Sequence, residues 1–168
     1  PGAVRLASAR ARMETGDLDG ALALLDPADA GVPDGGDAQV WWTLRGEVLG
    51  RVPRASEAEA CFRGALTRGP WAPAHAGLGL LFLEQGRAAE AALAFAEAVG
   101  LDPDCDNAWT GLGVLAALAG RNADATRLLT RALSLNHENV DARNALRALA
   151  QPAPAVNAEP TREVRLGV

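Results

Sequence analysis

The chain of 168 residues carries 16 arginines and no lysine against 21 acidic residues, with 49% hydrophobic and 4% aromatic side chains. A length of this order suits one domain or one short repeat array, and 22% charged residues beside 49% apolar ones argues against wholesale disorder. A net charge of −5 argues against a nucleic-acid binder, no apolar run reaches the roughly 18 residues that span a bilayer, and two cysteines are too few for a disulfide scaffold.

Taken in chain order, small and apolar residues recur in step. The first segment places Ala9, Gly16, Ala21, Leu25, Ala28 and Pro33 at positions that later segments repeat. Asp26-Pro27 breaks its second helix, because proline disfavours helix at the residue before it. A loop, Asp34-Gly-Gly-Asp37, leads into a second copy with Trp42, Gly46, Ala58, Phe62, Ala65 and Pro70. Its helices are joined through Pro53 where the other copies have glycine. The third copy, at an offset of 33, has His75, Gly79, Ala91, Phe95, Ala98 and Pro103. The fourth, at an offset of 34, has Trp109, Gly113, Ala125, Leu129, Ala132 and His137.

Each copy reads as two helices. In the third they run from about Pro73 to Gln85 and from about Ala88 to Gly100. Gly86 and Gly120 end the first helix of their copies, where a positive φ is needed. Pro70 and Pro103 stop the second helix. Asp102, Asp104 and Asp106 are N-cap candidates for the helix that follows. The triplets Gly46/Ala58/Ala65, Gly79/Ala91/Ala98 and Gly113/Ala125/Ala132, with Ala9/Ala21/Ala28 in the first copy, are expected where paired helices touch. Larger side chains there would force them apart by about 1–3 kcal/mol of overpacking. The stretch from Glu138 to Ala150 reads as a polar-faced helix covering the open end. From Gln151 the prolines accumulate and the periodicity fails, as in an extended tail.

The pattern W-x2-L-G-x2-Y, followed by a small residue, an aromatic, alanine and a closing proline, resembles the tetratricopeptide repeat family. The copy that carries it best reads Trp109, Leu112, Gly113, Ala116, Gly120, Ala125, Leu129, Ala132. The resemblance implies an all-α fold, a right-handed α-solenoid of stacked antiparallel helix pairs. About four units (2–36, 37–70, 71–103 and 104–137) with a capping helix at 138–150 make an array over 1–150, and 151–168 is a tail.

Stacked helix pairs curve, and the hollow side is lined by the first helix of each pair. By phase this surface carries Leu6, Arg10 and Met13, then Thr43, Glu47 and Arg51. It continues with Ala76, Leu80, Leu83 and Glu84, then Asn107, Thr110, Val114 and Ala117, and ends on Asp141 and Asn144. Arg10, Glu47 and Arg51 make one end charged, while Leu80, Leu83 and Val114 make the middle apolar. A peptide or helix of a partner protein with an apolar centre suits such a groove. One branch of the family clamps a C-terminal carboxylate with Lys, Arg and Asn. With no lysine, and with Thr43, Glu47, Leu80 and Val114 on the matching surface, this chain departs from that branch.

No arrangement for catalysis emerges, and neither a cofactor nor a metal site is expected. His75 and His137 lie far apart in sequence and read as a packing residue and a turn residue. Gly77-Leu-Gly79 and Gly111-Leu-Gly113 lack the third glycine and the preceding strand of a phosphate loop, so a helix–helix contact explains them better. Cys61 reads as a buried thiol and Cys105 as a turn residue. Trp42 takes a core position, which turns the adjacent Trp41 toward a neighbouring unit or solvent. The expected function is a non-catalytic protein-interaction module with a protein or peptide partner, no nucleic acid and no membrane insertion, and a cytoplasmic or periplasmic setting. A self-assembling homo-oligomer, or the regulatory domain of a larger enzyme, are the alternatives.

Overall fold

The computed structural model describes residues 2–151, apart from the side chains of residues 29 and 30. The tail beyond Gln151 lies outside the described residues. Among them the secondary structure is entirely helical: α1 (Gly2–Glu14), α2 (Leu18–Leu24), α3 (Pro27–Ala30), α4 (Gly36–Gly50), α5 (Ala55–Leu66), α6 (Ala72–Glu84), α7 (Ala88–Leu101), α8 (Asp106–Leu118), α9 (Asn122–Leu135) and α10 (Val140–Ala150).

The helices pair as α1 with α2, α4 with α5, α6 with α7 and α8 with α9, and α10 closes the stack. First helices also touch in succession, α1 to α4, α4 to α6, α6 to α8 and α8 to α10. Each second helix packs on the next first helix, α5 on α6 and α7 on α8. The result is an α-helical repeat solenoid, in which one pair buries its apolar face only against its neighbours.

Glycine sets three of the four intra-unit turns. Gly16, Gly86 and Gly120 adopt φ of +84°, +74° and +73°. The next residue then donates its backbone N–H five positions back, Asp17 to Arg12 at 2.9 Å, Arg87 to Phe82 at 2.8 Å and Arg121 to Ala116 at 2.9 Å. This satisfies carbonyls that the end of the first helix leaves open. The second unit, with Pro53, turns without any positive-φ residue between α4 and α5.

The packing follows the small-residue pattern. Ala58, Ala65, Ala91, Ala98, Ala125 and Ala132 are fully buried. A Cβ on Gly46 would stand 2.8 Å from Phe62, one on Gly79 2.6 Å from Phe95, and one on Gly113 2.7 Å from Leu129. Gly77 and Gly111 receive the same rings from the other side, Gly77 facing Phe62 and Gly111 facing Phe95. Each Gly-Leu-Gly segment therefore seats a side chain of its own unit on one glycine and the aromatic ring of the preceding unit on the other.

Two expectations are corrected. Ala28 is exposed rather than packed with Ala9 and Ala21, which are fully buried. Asp26 ends the interrupted helix and caps the single turn α3 by accepting from the Ala28 N–H, which lifts Ala28 off the core. The N-cap of α8 is Cys105, with no side-chain hydrogen bond, and none of the three aspartates caps it. Asp102 instead accepts from the Asp104 N–H, and Asp106, already inside the helix, accepts from Asn136 and Asn139.

Trp41 is fully buried among Leu6, Met13, Leu25 and Val48, on the side of the first unit. Trp42 meets its ring edge-to-face at 4.9 Å and lies against Gly64 of α5. Adjacent tryptophans thus hold two different interfaces of the stack.

Candidate functional site

A hollow of about 520 Å³ runs along the first helices. Alpha4 contributes Gly46, Glu47 and Gly50, with Arg51 just after it; α6 contributes Pro73, Ala76, Gly77, Leu80, Leu81 and Glu84. Cys105 and Asn107 at the start of α8, and Asp141 of α10, close the far side, with Phe62 below. A second hollow of about 70 Å³ adjoins it, lined by Arg10, Val40, Thr43, Leu44, Glu47, Trp71 and Pro73. Glu47 and Pro73 belong to both.

Gly46 and Gly77 let the Phe62 ring pack between α4 and α6 at the base of the hollow, and Gly50 has nothing within 4 Å of its Cβ position, which leaves that side open. Pro73, Ala76/Gly77, Leu80 and Glu84 fall on one stripe of α6 at spacings of three and four. Leu80 is 42% exposed at the centre of that stripe, an unusual state for a leucine flanked by buried Gly79 and Leu81.

The residues expected to line a groove separate into two sets. Arg10, Thr43, Glu47, Arg51, Leu80, Glu84, Asn107 and Asp141 line one or both hollows. Leu83 turns away and packs against the core, Val114 is half-buried outside the hollow, and Asn144 is exposed outside it. Thr110 is 5% exposed and Thr43 4%. These two threonines occupy equivalent positions and make the same joint. Each hydroxyl donates to a carbonyl four residues back, Gln39 for Thr43 and Asp106 for Thr110, both at 2.8 Å. Each then accepts from the N-cap residue of the next first helix, Trp71 Nε1 at 3.1 Å and Asn139 Nδ2 at 3.1 Å. In the joint between them the N-cap is Cys105, which brings no such donor to α6.

Sequence reasoning passed over Phe62, Gly46, Gly50, Leu81 and Cys105 as lining residues. Gly50 carried the available signal, since nothing stands within 4 Å of its Cβ position.

Electrostatically the hollow is uneven. Burial raises the Glu47 carboxyl above its ordinary value, while Arg10 and Arg51 pull the other way. Neither arginine forms an ion pair with it; Arg51 donates to the Met13 carbonyl at 3.3 Å. Burial likewise pushes the Cys105 thiol up, so it remains a thiol at neutral pH. His75 is half-buried on α6 and burial lowers its pKa, with Glu97 opposing; His137 is exposed. Cys61 is buried and both cysteines are free. Among the described residues no group of three His, Cys, Asp or Glu side chains is placed to hold a metal ion, and no helix is long and apolar enough to cross a membrane.

The sequence profile of the tetratricopeptide repeat matches residues 43–104 and again 76–139, together more than half of the chain. The chain belongs to the tetratricopeptide repeat family. No curated protein sequence matches it. A thermophilic tetratricopeptide repeat protein of Thermus thermophilus is similar over 89% of this chain and 81% of its own, with a TM-score of 0.72 and 18% identity. PilF of Pseudomonas aeruginosa is similar over 88% of this chain and 67% of its own, with a TM-score of 0.70 and 20% identity. The second tetratricopeptide repeat domain of human RPAP3, solved with an HSP70 peptide, is similar over 66% of this chain and 93% of its own, with a TM-score of 0.57 and 19% identity. At these identities the likeness is one of fold.

Proposed function

We propose that the chain is a non-catalytic protein-interaction module that holds a peptide or helix of a partner protein in the hollow along α4, α6, α8 and α10. The observation that carries this reading is Leu80. It is an apolar side chain left 42% exposed in a hollow lined by apolar residues of α6 together with Glu47, Glu84, Asn107 and Asp141, the arrangement of a binding surface with an apolar centre and polar groups around it. Support comes from structural neighbours of the same family that were solved with bound peptides, RPAP3 domains with HSP70 and HSP90 peptides among them.

Affinity would come from covering Leu80, with Asn107 offering an amide to a peptide backbone. The test is affinity capture from the source organism with wild type, Leu80→Arg and Leu93→Arg. Leu80 and Leu93, 42% and 70% exposed, both tolerate a charged head in water, and Leu93 lies on α7 outside the hollow. Wild type and Leu93→Arg should retain the same proteins and Leu80→Arg should lose them. Equal capture by all three contradicts the reading.

A further inference from the structure

The ion pairs of this chain are unevenly placed. On the second helices and the turns leading into them most of the acids are neutralised within the chain, Asp19 of α2 and Glu97 of α7 being the exceptions. Glu57 pairs with Arg54 at 2.6 Å, Glu59 with Arg63 at 2.6 Å and Arg87 at 3.3 Å, Glu90 with Arg87 at 2.5 Å, and Asp124 with Arg127 at 2.9 Å. The hollow carries three further carboxylates, Glu47, Glu84 and Asp141, and among the described residues none of them has an ion pair. One cation, Arg51, shares that lining and donates to the carbonyl of Met13, and a second, Arg10, lines the adjoining hollow that also holds Glu47, so carboxylates still outnumber cations three to two. Among the described residues the groove thus keeps an excess of unpaired carboxylates, while most acids of the other face are paired.

From this asymmetry we infer that the occupant of the hollow is a basic, apolar segment. It carries an arginine or lysine that reaches the carboxylates of Glu47 and Glu84, next to an apolar side chain that covers Leu80. The inference rests on the proposed groove and specifies its partner class. A guanidinium entering beside Glu47 meets a half-buried carboxylate that Arg10 and Arg51 influence but do not pair with, and attraction there is screened less than between exposed charges. An acidic peptide meets the same three carboxylates as repulsion, which discriminates against it. Complementary charge sets partner choice and association rate, and the apolar contact supplies the remainder.

The probe is a random-peptide phage library panned on the full chain, with the selected peptides then synthesised and titrated. The expected result is enrichment of Arg or Lys at a fixed distance from an apolar residue. Affinity should fall about tenfold or more in Glu47→Lys, and in Glu84→Lys as the variant at an exposed position, with weakening as salt rises. Panning on Glu84→Lys should shift selection toward Asp and Glu. Peptides without cations, or acidic ones, that still lose binding in Leu80→Arg would overturn this inference and leave the groove standing. An empty selection, or peptides indifferent to Leu80→Arg, would remove the groove and this inference together.

Discussion

Phe95 fills the space that a side chain on Gly111 would need. The same ring stands 2.6 Å from the Cβ position of Gly79, so one buried aromatic is held between first helices of consecutive units. Gly111→Ala drives a methyl into a ring that is fully buried and cannot yield. The expected loss is about 1–3 kcal/mol, read as a lower urea midpoint at unchanged slope. Gly100, near the end of α7, has nothing within 4 Å of its Cβ position. Gly100→Ala should therefore hold or raise stability, by up to about 1 kcal/mol.

Asn139 joins the last unit to its cap. Its carbonyl oxygen accepts from the Ala142 N–H at 2.9 Å, and its amide donates to Asp106 at 2.6 Å and to Thr110 at 3.1 Å. Asn139→Ala removes an N-cap and leaves the Asp106 carboxylate short of a donor. A loss of about 1–3 kcal/mol is expected. Hydrogen exchange should show α10 and the adjoining face of α8 opening first, while amides of α4 and α6 keep their protection. Uniform deprotection of the array would contradict this local role.

Glu47 makes stability depend on pH in a defined direction. Burial holds its folded pKa above the ordinary value of 4.5. Below the ordinary pKa both folded and unfolded chains carry the proton, and the group has no effect. As pH rises past 4.5 the unfolded chain loses the proton first, so the fold is penalised increasingly until the folded pKa is passed. Glu47→Gln should therefore be more stable than wild type at neutral pH, with the gain disappearing on acidification. Paired denaturation curves at acid and neutral pH measure it; an advantage that grew at low pH would reverse the assigned sign.

The stack was legible in the sequence because its determinants are local and repeat. Small residues at the helix crossings recur at offsets of 33 and 34 from the second unit to the fourth, and there the structure buries the alanines and seats Phe62, Phe95 and Leu129 on the glycines. The groove was less legible. Helical phase found Leu80 and Glu84 on α6 but also admitted Leu83, which the rotation of 100° per residue from Glu84 carries onto the core. Thr43 and Thr110 have the phase of lining residues, yet their hydroxyls are engaged with the next helix. No pattern within one helix reports what the N-cap of the following one will donate. The failed aspartate caps have the same origin. Polarity marks a turn but does not decide which of several neighbouring residues takes the N-cap position, which here fell to Cys105.

The central claim is that the hollow along the first helices is where a partner sits. Nitrogen-15 NMR of the full chain, titrated with a library-selected peptide, tests it most directly. The account predicts amide shifts concentrated at Glu47, Leu80, Glu84 and Asn107, with α5, α7 and α9 unmoved around residues such as Leu93. Shifts gathered on those second helices, with Leu80 and Asn107 silent, would contradict it.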